Sequence, residues 1–213
     1  MVSWQNRIKV CMETFIQLAK EKESLLQNEL SRHILEMFSQ IFQDYIFQRR
    51  NARKPNSNLI KYNLVNLGHK LGYRVYANGL NENQKKEQWD KYKFVCREFL
   101  YDVHWYLDIE GKFYTPETVR LVAESELGDT RKGDISGLPN PAIKFDFQKL
   151  LVANAELRLM IFKVYKFKFL SELNDYFNYA IREYGRLQTG DCFLFICLVH
   201  ETKQLYFAEK MKQ

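Results

Sequence analysis

Two glutamates at the end of an apolar segment are the first residues whose types and spacing suggest chemistry. In VRLVAESELG, residues 119–128, the apolar residues predict a buried strand, and Glu124 and Glu126 follow with only Ser125 between them. Alternate residues of a strand point to one face, so the two glutamates share a face about 7 Å apart along the chain. Like charges at that spacing repel each other and gain nothing from packing, so their presence needs a reason.

A third carboxylate interrupts the preceding predicted strand. Asp102 lies in FLYDVHWY, where alternation predicts that it shares a face with Leu100 and His104. Acidic residues are poor strand formers, and burial of an unpaired carboxylate costs free energy. A cluster of Asp102, Glu124 and Glu126 is tolerated when a divalent cation neutralises it. Oxygen ligands with room for water suit Mg²⁺ or Mn²⁺, so we expect these three residues as metal ligands.

A lysine in the next predicted helix can reach the same cluster. In FDFQKLL, Asp146 and Lys149 are three residues apart and therefore share one face of the helix. A helix that follows the third strand returns across the sheet, which brings Lys149 toward the carboxylates. The expected site combines three acids and one amine.

A sheet with helices around it must position these residues, and the hydrophobic periodicity predicts both. Helical spacing over residues 3–48 predicts two helices or one long bent helix, and the pattern ends near Pro55. From residue 57 the predicted order is helix, strand, strand, strand, helix, strand, helix, strand, strand. The polar segment LNENQKKEQWDKYK after the first strand is either a loop or a short exposed helix. We therefore predict an N-terminal helical arm over residues 1–54 and an α/β domain over residues 55–213.

Composition narrows the class of protein. The 213 residues are 46% hydrophobic, which is ample for a core, and contain no uncharged apolar stretch of about 18 residues that predicts a membrane span. Four cysteines without a CxxC pair, and a start without a signal-peptide pattern, predict a reduced cytoplasmic protein. The net charge of +6 permits a nucleic-acid partner. No GxGxxG, P-loop, HExxH or GxSxG motif is present, which argues against nucleotide-binding, zinc-protease and serine-hydrolase functions.

The acids and the order of elements around them resemble the PD-(D/E)xK nuclease superfamily, which has the restriction-endonuclease-like fold. The resemblance covers about residues 57–165: a helix and a strand, a strand with Asp102, a strand with Glu124, then a helix and a strand. It implies a mixed central sheet flanked by helices, with Asp102 as the first metal ligand and Glu124 as the second. The family's lysine is replaced by Glu126, and Tyr101 stands where a proline is expected. Some members carry the lysine on the following helix, which is the place of Lys149.

The resemblance implies metal-dependent hydrolysis of phosphodiester bonds in nucleic acid. Glu126 would be a further ligand or a base for the attacking water, and Lys149 would orient that water or neutralise charge on the phosphate. The alternative is a catalytically inactive protein of the same fold that binds nucleic acid or protein, and a third possibility is a helical interaction protein. The N-terminal helices are a possible surface for homo-oligomerisation.

Each candidate residue also has a structural interpretation. Asp102 can pair with Arg97 or a neighbouring lysine at a sheet edge, where charges prevent aggregation. Glu124 and Glu126 can mark the solvent end of a strand, and Lys149 can be the exposed partner of Asp146. Cys192 and Cys197, within an apolar run, are expected to be buried.

Overall fold

The structure, a computed structural model, describes residues 16–17, 26–41, 57–94, 96–97, 99–127 and 140–213. The strands within these ranges are β1 (Ile16–Gln17), β2 (Arg74–Ala77), β3 (Val103–Asp108), β4 (Pro116–Glu126), β5 (Leu157–Val164), β6 (Cys192–Val199) and β7 (Gln204–Met211). The helices are α1 (Glu29–Ile41), α2 (Ser57–Lys70), α3 (Glu82–Tyr92), α4 (Pro141–Val152) and α5 (Phe167–Glu183).

One mixed sheet organises the described residues, with the strand order β1-β7-β6-β5-β4-β3-β2. β2, β3 and β4 form an antiparallel meander, β4, β5 and β6 are parallel, and β7 and β1 are antiparallel to their neighbours. The predicted α/β class, with a mixed sheet flanked by helices, is confirmed. From α2 to β5 the elements follow the predicted order, with α3 added between β2 and β3.

The polar segment after β2 is a helix because its ends are well capped. The side chain of Asn81 accepts a hydrogen bond from the backbone of Gln84, whose own side chain accepts from the backbone of Asn81. This reciprocal arrangement satisfies two of the backbone donors that a helix start leaves free. The helix ends at Lys93, which adopts a left-handed backbone with φ of 55°.

Each face of the sheet carries its own apolar core. On one face α1 and α2 pack against the strands, with Leu35, Leu64 and Trp105 fully buried. On the other face α4 and α5 cover the sheet, and their Phe147 and Phe177 pack together with ring centroids 4.6 Å apart. Strands covered on both faces have continuous apolar runs, which explains CFLFICLV in β6. The predicted burial of Cys192 and Cys197 is confirmed.

The N-terminal arm is only partly a helix within the described residues. Ile16–Gln17 form β1, paired with Phe207 and Tyr206 of β7, so the prediction of helix at these two positions is wrong. Pairing with an exposed sheet edge competes with local helical periodicity, and here the tertiary contact prevails. α1 follows the predicted apolar stripe and belongs to the same core as α2. The rest of residues 1–54, and with it the proposed oligomerisation surface, lies largely outside the described residues.

Candidate active site

The candidate site lies where β4 ends and β3 begins. β4 lies at the centre of the site, between β3, to which it is antiparallel, and β5, to which it is parallel. Val103 pairs with Ala123, so Asp102 comes beside Glu124 although 22 positions separate them in the chain. α4 follows β4 by a connection and crosses back over this end of the sheet, as predicted for the lysine-bearing helix.

Glu124 is a buried carboxylate whose two oxygens differ in their contacts. Its side chain is only 3% exposed, and Oε2 accepts a hydrogen bond from the Lys149 amine at 3.2 Å. Oε1 is buried and has no partner among the described residues. Burial, and then the nearby charge of Asp102, raise the pKa of Glu124 to about 8, although Lys149 acts in the opposite direction. Glu124 therefore holds a proton near neutral pH unless a further cation approaches.

Lys149 joins two acids on the α4 side of the sheet. Its amine lies 2.9 Å from Oδ1 of Asp146 and 3.2 Å from Oε2 of Glu124. Burial lowers the pKa of Lys149, but the hydrogen bond with Asp146 and the charge of Glu124 outweigh it, and the pKa is raised overall. The amine is thus held in its charged form, and both the expected pairing with Asp146 and the expected reach to Glu124 are confirmed.

Asp102 is held by groups on the α2 side of the sheet. Its Oδ1 accepts a hydrogen bond from the Lys61 amine at 2.6 Å, and its Oδ2 accepts from the backbone N–H of Ser125 at 3.0 Å and from its hydroxyl at 2.7 Å. Lys61 also donates to Oδ1 of Asn78 at 2.6 Å. The alternative in which Asp102 pairs with a lysine therefore holds, and that lysine is Lys61.

The prediction that Asp102 shares a strand face with His104 is wrong. Leu100 has a left-handed backbone with φ of 66°, and the strand starts only at Val103, so strict alternation does not extend back to Asp102. Ser125 alternates with Glu124 and points to the opposite face, and Asp102 turns toward Ser125. His104, by contrast, pairs with Val122 and lies on the α4 face.

Glu126 is the last residue of β4 and lies on the same face as Glu124, as predicted, with a partly exposed side chain. The structure thus places Lys149 against Glu124 and brings Asp102 close enough for its charge to raise the pKa of Glu124, with Glu126 nearer the strand end. Within the described ranges, no group of three or more His, Cys, Asp or Glu side chains is arranged to bind a metal ion. A cation here would have two carboxylates as ligands at most, which is the usual number for Mg²⁺ when water and substrate phosphates supply the rest.

Sequence reasoning missed Lys61, Asn78 and Ser125. Lys61 follows Ile60 in a helix whose apolar positions face the core, so nothing in the spacing distinguishes it from a surface lysine. Ser125 stands between the two glutamates, so alternation places its polar side chain on the opposite face of the strand. A polar residue at that position could have indicated a hydrogen-bond partner for Asp102.

Comparisons with family models, with curated proteins and with solved structures find no match for this chain. The site therefore has to be interpreted from its own geometry. No helix in the described part of the chain is long and apolar enough to cross a membrane.

Proposed function

We propose that this chain is a metal-dependent nuclease-like protein that hydrolyses phosphodiester bonds in nucleic acid, with a site of the PD-(D/E)xK type on a restriction-endonuclease-like fold. The observation that carries the proposal is the Glu124 carboxylate, which is buried beside Asp102 with one oxygen unpartnered among the described residues. A buried carboxylate beside a second acid is costly in isolation, and a hard cation between the two acids removes that cost. The order of elements from α2 to β5 supports the same assignment.

The oxygen donors of the site suit Mg²⁺ or Mn²⁺. Asp102 and Glu124 would hold the ion, with Glu126 as the base that takes a proton from the attacking water. The bound ion would lower the pKa of a water molecule and stabilise negative charge on the phosphate. Lys149, fixed by Asp146, would orient the nucleophile or offset charge on the phosphate oxygens.

Lys61 adds a role that the motif alone does not include. Its hydrogen bond fixes Oδ1 of Asp102, while Ser125 fixes Oδ2. A ligand that is held by second interactions keeps its orientation when a metal is absent, which favours binding without reorganisation. Lys61 and Ser125 are therefore positioning residues for Asp102.

A second candidate function is supported by the same contacts. Both oxygens of Asp102 already have protein partners, and Glu126 replaces the lysine of the motif. Two lysines that neutralise two acids can stabilise the fold without any metal. In that case the chain is a catalytically inactive protein of the nuclease fold that binds nucleic acid or protein.

Cleavage assays with Mg²⁺ or Mn²⁺ separate the two functions. Labelled single-stranded DNA, duplex DNA and RNA are incubated with the wild type and with Lys149→Ala. Removing a group that stabilises the reacting phosphate typically slows catalysis by about 100-fold or more, so Lys149→Ala is expected to lose cleavage to that extent. Lys144→Ala is the matched control, because Lys144 lies on the same helix but over the ring of Tyr176. Absence of cleavage by the wild type on all three substrates would favour the binding function, and full activity of Lys149→Ala would remove Lys149 from the mechanism.

A further inference from the structure

On the face of the sheet that carries α4 and α5, a cluster of aromatic rings covers β2 and β3. The apolar core on this face contains residues of β4, β5, β6 and β7, and within the described residues it includes none from β2 or β3. Tyr76 of β2 pairs with His104 of β3, and His104 pairs with Val122, so these rings lie on the same face as Glu124. Among the described residues, aromatic side chains rather than a helix therefore form the outer surface at this end of the sheet.

The rings stack on one another and reach solvent. Tyr76 lies parallel to Tyr106 at 5.2 Å between centroids and close to parallel to Phe99, also at 5.2 Å. Phe99 is 47% exposed, which is unusual for a ring that is so well placed to be covered. The rings of His104 and Phe99 have centroids 5.4 Å apart, and both ring nitrogens of His104 lack a hydrogen-bond partner among the described residues. Burial lowers the pKa of His104 to about 4, so it adds an uncharged ring to the cluster.

Cations line the edge of the same strand. A cavity of about 400 Å³ runs along β2, and the described residues that line it include Arg74, Lys93 and Arg97 but no carboxylate. Arg74 is paired with Asp108 at 3.2 Å and lies over the rings of Phe113 and Tyr114, whereas Lys93 and Arg97 are exposed. Positive charge beside stacked rings is the combination by which proteins bind single-stranded nucleic acid, with bases on the rings and phosphates on the cations.

The aromatic surface continues toward the acidic site. Tyr101 makes an edge contact with His104 at 6.3 Å between centroids. Burial raises the pKa of Tyr101, and the nearby Glu124 carboxylate raises it further, which places the phenol within electrostatic reach of the site. A single strand of nucleic acid stacked on Phe99 and Tyr76 would therefore run along β3 toward Glu124 and Lys149.

We propose that the rings of Tyr76 and Phe99, together with the cations at the β2 edge (Arg74, Lys93 and Arg97), bind single-stranded nucleic acid. The inference deepens the proposed function, because it names the form of nucleic acid that the site receives, but the binding itself does not depend on catalysis. Paired bases expose only their edges in a duplex, so a stacking surface selects strands whose bases are free.

Binding of a fluorescein-labelled oligothymidylate of about 20 nucleotides, followed by anisotropy in EDTA, tests the proposal. Phe99→Ala is expected to weaken binding by about 5- to 150-fold, the range for loss of one stacked base. Arg97→Ala is expected to lower the slope of log affinity against log salt by about 0.7, the value for one phosphate contact on a single strand. Both side chains are exposed, so neither change is expected to impair folding, which thermal melting checks. Tyr179→Ala and Arg186→Ala, exposed residues on and after α5, are matched controls and are expected to bind as the wild type does.

Several results would overturn the inference. A wild type that fails to bind oligothymidylate, Phe99→Ala and Arg97→Ala variants that bind as tightly as the wild type, or control variants that weaken binding as much as these two do would each contradict the proposal. Duplex bound as tightly as the single strand, or full competition by polyglutamate, would exclude recognition of free bases. The binding assay contains EDTA, so it does not depend on catalysis. A wild type that binds oligothymidylate in this assay but cleaves no substrate with Mg²⁺ or Mn²⁺ would refute the catalytic proposal and leave the binding proposal standing.

Discussion

Replacement of Glu124 by glutamine tests the electrostatics of the site without any assumption about substrate. Glutamine has nearly the same shape, and its carbonyl oxygen can still accept a hydrogen bond from Lys149. The change removes only the ability of the side chain to ionise. In the wild type the pKa of Glu124 is raised from 4.5 to about 8, so the folded state binds more protons than the unfolded state between these pH values. The free energy of unfolding of the wild type must then fall as pH rises through this window.

The magnitude follows from the difference between the two pKa values. The difference between 4.5 and about 8 corresponds to about 5 kcal/mol once Glu124 is fully ionised in the folded state. The stability difference between Glu124→Gln and the wild type therefore grows with pH. Most of that growth, roughly 3–4 kcal/mol, falls between pH 5 and pH 8.

Urea unfolding at half-unit steps from pH 5 to pH 9, in EDTA, measures this growth directly. Glu117→Gln is the matched control, because Glu117 lies on the same strand with its side chain exposed, and it should run parallel to the wild type. A flat difference curve for Glu124→Gln, or one in which the wild type gains on the variant as pH rises, would refute the assignment of a raised pKa. The account of a strained acidic pair would fail with it.

Three further predictions concern the contacts that position the site. Lys61→Met removes the charge that faces Asp102 at 2.6 Å and should lower the free energy of unfolding by about 2–4 kcal/mol, measured by urea unfolding, with Lys144→Met as a control that changes little. Ser125→Ala removes a hydroxyl donor to Asp102 and should cost about 1 kcal/mol by the same measurement, so a cost near zero would contradict the described contact. Gly68→Ala would place a Cβ 2.6 Å from the indole nitrogen of Trp105, and thermal melting should show a loss of about 1–3 kcal/mol, whereas Gly185→Ala has open space and should melt close to the wild type.

The sequence was sufficient for the parts of the fold that local patterns determine. The apolar residues of VRLVAESE predicted β4, and alternation predicted the shared face of Glu124 and Glu126. Helical spacing predicted that Asp146 and Lys149 share one face of α4. β1 was not predictable from Ile16 and its neighbours, because a two-residue strand exists only through its pairing with β7. Long-range pairing of this kind leaves no periodic signal in the chain.

The site was predictable only in part for a similar reason. The contact of Lys149 with Glu124 followed from the order of elements, but the face of Asp102 depended on the left-handed backbone at Leu100, which no residue type there indicates. The pairing of Asp102 with Lys61 joins a helix to a strand start 41 residues away. Local patterns do not predict the aromatic surface at β2 and β3, because Tyr76 and Phe99 are distant in the chain and come together only where Arg97 pairs with Ala77 of β2.

Binding of Mn²⁺ at pH 8, measured through the electron paramagnetic resonance signal of the free ion, is the most direct test of the central claim. If Asp102 and Glu124 hold the ion, the wild type binds one ion per chain, Asp102→Asn and Glu124→Gln each lose it, and the Glu117→Gln control binds it fully. A wild type that binds no Mn²⁺, or variants that bind it as the wild type does, would contradict the metal site.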